Sequence, residues 1–507
     1  MKRLPVIVIL ALTALPARAF DISEDGHETT QPSIHPGGVK IITDEVPLPT
    51  SPDYSLNLRM QVGGLAFGDF DNDGDLDLAA GCYHSQSYPP YNDWRNFVLR
   101  NSDGQLESSP SWWSTDSRST SDVKWADFDS NGYLDLFAAN GDFTLDANVI
   151  YFGTENGLSN APGWLASDQT WTTSCDPADF DNDGDIDMAT ANQGVNPDYN
   201  RPVYIYINTG NGLQTTPEWQ SDDQMLSSFI SWGDMNNDGW YDLAVSKWVN
   251  FESCVYPNNE GVMQRTPGWT SGSTRSDKGI GWGDVDSDSF PELAIGGTEP
   301  TLLFDNVDGI LGNTPIWQSN NPYHGCQDLA WADIDNDGDP DLATVEFSNG
   351  QVRIYLNVDG VLESTPSWVY DADGAGTALA FGDVNGDGLL DLAMGQSGQP
   401  CILLFLNNSE VSVDEKAPRP GEFALKQNYP NPFNATTRID FEVTAAGWIS
   451  LDVYDILGNM VANIASGEYV SGSYSTTWDA TGMASGIYFC KFQRNGKSIV
   501  KRMALEK

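Results

Sequence analysis

The chain is poor in basic residues and in histidine: 25 Lys and Arg stand against 72 Asp and Glu, with only four His in 507 residues. A formal charge of −47 excludes nucleic acid and anionic lipid as partners, because both would be repelled by the body of the protein. His27, His35, His84 and His324 form no H-E-x-x-H, and neither G-x-S-x-G nor a phosphate-binding P-loop occurs, so the familiar hydrolase and nucleotide motifs are missing. The six cysteines, Cys82, Cys175, Cys254, Cys326, Cys401 and Cys490, show no C-x-x-C spacing. That removes a zinc or redox pair and leaves buried free thiols as the simplest reading. After the first 19 residues no apolar run is long enough for a membrane helix.

What is present points to a folded, exported protein. Residues 1–19 begin with Met1, Lys2 and Arg3, continue through "LPVIVILALTAL" and end at "ARA", the pattern of a secretory signal peptide cut after Ala19. Seventeen Trp, 19 Tyr and 21 Phe argue against disorder despite the charge. Residues 20–423 hold 14 basic and 65 acidic side chains, whereas residues 424–507 hold 8 and 7, so at least two domains are expected.

One nine-residue pattern recurs seven times: "DFDNDGDLD" from Asp69, "DFDSNGYLD" from Asp127, "DFDNDGDID" from Asp179, "DMNNDGWYD" from Asp234, "DVDSDSFPE" from Asp284, "DIDNDGDPD" from Asp333 and "DVNGDGLLD" from Asp383. The intervals are 58, 52, 55, 50, 49 and 50 residues, one supersecondary unit per period. Each loop lies between short apolar segments such as "LAFG" and "DLA", which read as two strands of a hairpin. A third strand follows ("VRIYLN", "CILLFLN"), and then a Pro-x-Trp element ending at Trp112, Trp164, Trp219, Trp269, Trp317 or Trp368. Four short strands per unit is the blade of a β-propeller, and the repeated Trp reads as core packing. Seven loops but only six Pro-x-Trp elements leave the seventh blade without its outer strand; the segment "SPDYSLNLRM" is the expected donor.

The loops concentrate 28 acidic residues, which would repel one another without a cation. Side-chain oxygens fall at positions 1, 3, 5 and 9, and Gly at position 6 in six copies; position 7 varies and offers only its carbonyl. Alternate oxygens on a tight turn suit calcium, which takes six to eight ligands at about 2.3–2.6 Å. The expected sets are Asp69, Asp71, Asp73, Asp75 and Asp77; Asp127, Asp129, Asn131, Tyr133 and Asp135; Asp179, Asp181, Asp183, Asp185 and Asp187; and Asp234, Asn236, Asp238, Trp240 and Asp242. The remaining sets are Asp284, Asp286, Asp288, Phe290 and Glu292; Asp333, Asp335, Asp337, Asp339 and Asp341; and Asp383, Asn385, Asp387, Leu389 and Asp391. Up to seven calcium ions would cancel 14 charges. An EF-hand is excluded, because its Glu at position 12 is replaced by Ala80, Ala138, Thr190, Val245, Ile295, Thr344 and Met394. The competing reading is a plain turn rich in Asp, Asn and Gly. The fifth loop should bind most weakly, since Ser289 and Glu292 replace its Gly and last Asp.

On these motifs residues 51–408 resemble the FG-GAP and VCBS repeats of integrin α-subunit propellers and of secreted bacterial proteins. The resemblance implies an all-β fold, a seven-bladed β-propeller whose ions lie on one face and whose ligands bind the other. After a charged linker at 409–423, residues 424–507 carry "NYPNPFN", "YDILGNMV", "TWDATGMASGIYF" and a basic end. They read as a small immunoglobulin-like β-sandwich and resemble the type IX secretion sorting domain, which implies the secretion machinery as a partner and a secreted or cell-surface location.

The face away from the loops offers Tyr83, His84, Tyr88, Tyr91, Trp94 and Arg95, with Arg118, Trp171, Trp248, Arg275, Lys278, Tyr323 and His324 from other blades. Aromatic rings beside hydrogen-bonding groups suit glycan or protein ligands, although packing or solvated loop residues is the plainer reading of any one. The expected function is a calcium-binding adhesion or carbohydrate-binding module. The alternative is a secreted calcium-dependent polysaccharide lyase with Arg, Lys or Tyr as base.

Overall fold

The structure is a computed structural model that describes residues 46–505 apart from 84–92, 142–144, 196–197, 211, 250, 322–324, 408–423, 427, 429–432, 444–446, 456–459, 471, 484–485 and 495–496. The leader expected at 1–19 therefore lies outside the described residues. Those residues are all-β and fall into two compact units, on either side of the segment 408–423.

The larger unit consists of repeated four-stranded antiparallel sheets. The first blade runs outward through Met60–Gly68, Asp77–Cys82, Phe97–Leu99 and Trp112–Trp113. Five more follow the same order, from Thr120–Ala126 to Trp368–Asp371. The seventh has only Ala375–Gly382, Asp391–Gly398 and Ile402–Phe405 from its own repeat. Its outer strand is Tyr54–Leu56, paired antiparallel with Ile402–Phe405. Each innermost strand packs on the next, and the last packs on the first, so the array closes into a ring. The second strand of every blade is covered by sheets on both faces, which is why the "DLA" segments are continuously apolar and small.

Two aromatic devices join consecutive blades. Inner-strand Trp125, Trp282 and Trp331 lie across the glycine that ends the preceding inner strand or donate an indole N–H to its backbone. A Cβ at Gly233 would stand 2.4 Å from the Trp282 ring, which is the physical reason for glycine just before that loop. The Pro-x-Trp indoles meet an aromatic ring of the next blade edge to face, with centroids from 5.1 Å for Trp269 and Phe304 to 5.6 Å for Trp164 and Tyr206. Trp112, Trp164, Trp219 and Trp269 also donate to carbonyls of that next blade. These tryptophans are packing residues that carry a directional bond between blades.

The missing hairpin of the seventh blade is replaced by more than a strand. In the other interfaces a residue of the outer hairpin (Leu106, Leu158, Leu213, Met263, Leu311 or Leu362) plugs the gap between blades. Between the sixth and seventh blades the plug is Leu48, which joins the cluster of Ile334, Val352 and Trp368, while Trp368 Nε1 donates to Pro49 O at 3.3 Å.

The smaller unit has two sheets, one of Ala424–Leu425, Thr436–Val443 and Gly472–Asp479, the other of Met460–Tyr469, Gly447–Asp455, Gly486–Arg494 and Lys497–Leu505. Their facing side chains, including Phe441, Trp478, Leu451 and Phe492, form one core, the arrangement of a sandwich. All six cysteines are free and buried.

Candidate metal centres

Six of the seven acidic loops are held by the same set of bonds, and the fifth keeps part of it. In the first, Asp69 accepts from the N–H groups of Asp73 and Gly74 through its two oxygens at 3.0 Å, and Asp73 Oδ1 accepts from Asp75 N–H at 3.1 Å. Buried Asp77 accepts from Phe70 N–H at 3.1 Å and from Asn101 N–H at 2.7 Å, tying the loop to the third strand. Homologous bonds recur around Asp135, Asp187, Asp242, Asp341 and Asp391. These turns force the carboxylates inward together. In the first, second, third, fifth and sixth loops, oxygens of positions 1, 3 and 9 lie within 4.8 Å of one another. Two ligands of a calcium ion at about 2.4 Å are at most about 4.8 Å apart, so these oxygens fit one coordination sphere. The fourth and seventh loops carry Asn236 and Asn385 at position 3, whose Oδ1 accepts from Asp238 and Asp387 N–H at 3.0 Å, a carbonyl ligand in place of a carboxylate.

The fit to a hard cation rests on oxygens left without a partner. Asp71 Oδ1, Asp181 Oδ1 and Asp284 Oδ1 are buried in their loops and accept no hydrogen bond. A buried carboxylate oxygen in that state is costly unless a cation meets it. Burial pushes Asp77, Asp135, Asp187, Asp341 and Glu292 up to about 8, Asp242 to about 7 and Asp391 to about 6. These groups keep protons in the metal-free fold that the unfolded chain releases near pH 4. Their contribution is therefore full below about pH 4 and is lost as pH rises towards 8. In chelator the melting midpoint is expected to be several degrees lower at pH 8.5 than at pH 5.5, and calcium should abolish the difference. Equal midpoints in chelator would contradict the assignment.

Two loops differ. Arg100 places Nη2 2.7 Å from Asp71 Oδ2 and 2.9 Å from Asp73 Oδ2, supplying positive charge at the rim of the first loop. In the fifth, Glu292 Oε2 takes Val285 N–H at 2.7 Å but its Oε1 is buried without a donor. Ser289 holds φ +76°, a left-handed conformation that costs a non-glycine residue about 1–2 kcal/mol. Ser289→Gly is expected to stabilise the protein by about 1 kcal/mol in denaturant unfolding; an unchanged or lower midpoint would contradict it.

The sequence reading missed the asparagine that ends the third strand. Asn101, Asn208, Asn258, Asn306, Asn357 and Asn407 donate Nδ2 to the second residue of the preceding blade's acidic loop: Val384, Phe128, Phe180, Met235, Val285 and Ile334, at 2.7–2.8 Å. Asn101 carries this stapling across the ring closure. The second blade has Gly153 there and lacks the staple, but Asn72 Nδ2 of the first loop donates to Gly132 O of the second at 3.3 Å. The recurring Asn in "LRN", "YIYIN", "FDN" and "FLN" was the available signal.

Among the described residues, the proposed ligand residues differ in exposure. His84, Tyr88, Tyr91, Tyr323 and His324 lie outside the described residues. Tyr83 and Trp94 are half-buried; Arg95 pairs with Asp93 and stacks on Trp113. Arg118 is clamped by Asp116 and Asp146. Trp171 and Arg275 are 7% and 6% exposed: the first begins an innermost strand, and the second lies 3.1 Å from Asp277 Oδ1 and donates to Pro300 O. Both are structural. Trp248 is half-buried, with the Lys278 ammonium 5.1 Å from its ring centroid.

Residues 69–138, 127–190 and 333–394 match the FG-GAP-like repeat family, and residues 427–506 match the secretion system C-terminal sorting domain. No curated protein matches the chain. Among solved structures, an Agrocybe aegerita lectin reported for specific recognition of non-reducing terminal N-acetylglucosamine is 14% identical, covering 71% of this chain and 92% of its own, with a TM-score of 0.37. A superposition that loose has no bearing on function. No helix among the described residues is long and apolar enough to cross a membrane.

Proposed function

The chain carries FG-GAP-like repeats followed by a type IX sorting domain, and from that premise we propose that it is a secreted or cell-surface binding module whose acidic loops hold calcium. The buried, partnerless oxygens of Asp71, Asp181 and Asp284 carry the metal reading. Bound there, calcium would supply compensating charge and a fixed oxygen geometry, with no chemical step. The loop residues do the rest: positions 1, 3 and 9 present carboxylates in five loops, with Asn at position 3 in the other two, and Asn staples transmit the order of six loops to the next blade. Calcium therefore has a structural role, and ligands meet the face at the other end of the innermost strands.

Binding rather than catalysis is favoured by how most of the basic residues are used, Lys278 being the exception. Arg118, Lys247, Arg275 and Arg353 are each committed to a carboxylate, which leaves them poorly placed as general bases. The test is to incubate the calcium-loaded protein with a panel of polysaccharides and glycoproteins. Saturable binding without new reducing ends or unsaturated uronates supports the module; product formation would replace it with a lyase.

A further inference from the structure

The sixth residue before each acidic loop sits at the start of an innermost strand, at the end of the ring away from the loops. Ser121, Thr173, Ser228, Gln327 and Thr377 occupy five of these positions with neutral polar groups, and Lys278 occupies another. Lys278 is unusual in a body this acidic. Arg95, Arg100, Arg118, Lys124, Lys247, Arg265, Arg275 and Arg353 all sit on carboxylates, whereas Lys278 has none among the described residues. Its Nζ donates to Gln327 Oε1 at 2.9 Å and lies 5.1 Å from the Trp248 ring centroid. Burial with no counter-charge brings it down to about 8.

The carboxylates one position further along the strands are already satisfied. Asp122 accepts from Ser174 Oγ and Cys175 N–H and faces Lys124, while Asp328 accepts from Leu329 and Leu379 N–H. At the corresponding position of the seventh blade, Thr377 Oγ1 is buried without a partner. An amide oxygen and a π-face only partly replace a counter-ion, so the ammonium is complete when a ligand brings one anionic group. The surrounding negative charge disfavours a polyanion and leaves room for a single carboxylate on an otherwise neutral body. A half-buried indole beside the ammonium suits the apolar face of a sugar ring.

We propose that Lys278, Trp248 and Gln327 form a site for one uronate residue, its carboxylate on Lys278 Nζ and its ring against Trp248. This rests on the binding-module reading and names the ligand chemistry of that face. The test is saturation-transfer NMR on the full calcium-loaded chain with sodium glucuronate, glucose and the methyl ester of glucuronate. Glucuronate should show saturable transfer, at least about tenfold stronger than either neutral sugar, fading above pH 8 as the amine loses its proton. Lys278→Gln and Trp248→Ala should each reduce it at least about tenfold at an unchanged melting midpoint, and Lys278→Arg should retain part of it. Equal transfer from all three sugars, or full transfer in a folded Lys278→Gln protein, would overturn the proposal. If other glycans still bound that variant normally, the binding-module reading would stand and only this site would fall.

Discussion

Stripped of divalent ions at pH 8, the protein should melt on the order of 20 °C or more below its midpoint in millimolar calcium. The loops hold 28 acidic residues, and several of their carboxylate oxygens are buried without a hydrogen-bond donor. At that pH the ninth-position carboxylates, which burial raises to about 6–8, are half ionised or more inside the fold. Each ion held at 100 times its dissociation constant adds about 2.7 kcal/mol, so several sites together exceed the stability of an ordinary domain. Each kcal/mol is worth roughly 2–4 °C in proteins of 150–250 residues, and somewhat less in larger ones. The loss should be cooperative, because Asn staples bind six of the seven loops to the neighbouring blade. Scanning fluorimetry in chelator and in calcium measures it. Superimposed curves would mean that the loops are stable turns without ions.

Deleting residues 46–56 should open the ring. Leu56 and Leu48 are 1% and 6% exposed, and their removal uncovers the edge of Ile402–Phe405 and the cluster around Trp368. Further bonds go with them: Cys401 N–H to Leu56 O at 3.0 Å, Leu406 N–H to Asp53 Oδ2 at 2.9 Å and Tyr54 OH to Glu107 O at 2.7 Å. A bare, apolar edge strand pairs with other chains, so the deletion should yield aggregates or a protein rapidly cut by protease. Leu48→Ala alone should cost about 2–4 kcal/mol through the cavity it leaves. Size-exclusion chromatography and denaturant unfolding read both variants. A monomeric deletion protein with the parental midpoint would show that the seventh blade needs no strap.

Much of this fold was legible because its information is local and repeated. The period, the nine-residue loops and the Pro-x-Trp elements each lie within one short stretch, and seven copies expose which positions must hold oxygen. The shortage of one outer strand was visible by the same comparison. What escaped the sequence depends on distant partners. The Asn staples reach into the preceding repeat, and Asn101 reaches Val384 across the closure. Leu48 precedes the first repeat and shows its role only where the seventh gap needs a plug. Trp171 and Arg275 resembled loop residues because the start of an innermost strand has no marker of its own; burial and partners removed them from the surface. The solitary state of Lys278 is likewise a property of its neighbours, which composition does not report.

Counting ions on the native protein tests the central claim most directly. Native mass spectrometry after calcium loading and desalting should show six firmly held ions and a seventh, assigned to the loop of Ser289 and Glu292, that leaves first as free calcium is lowered. A chain that retains no calcium and binds none at millimolar concentration would contradict the account.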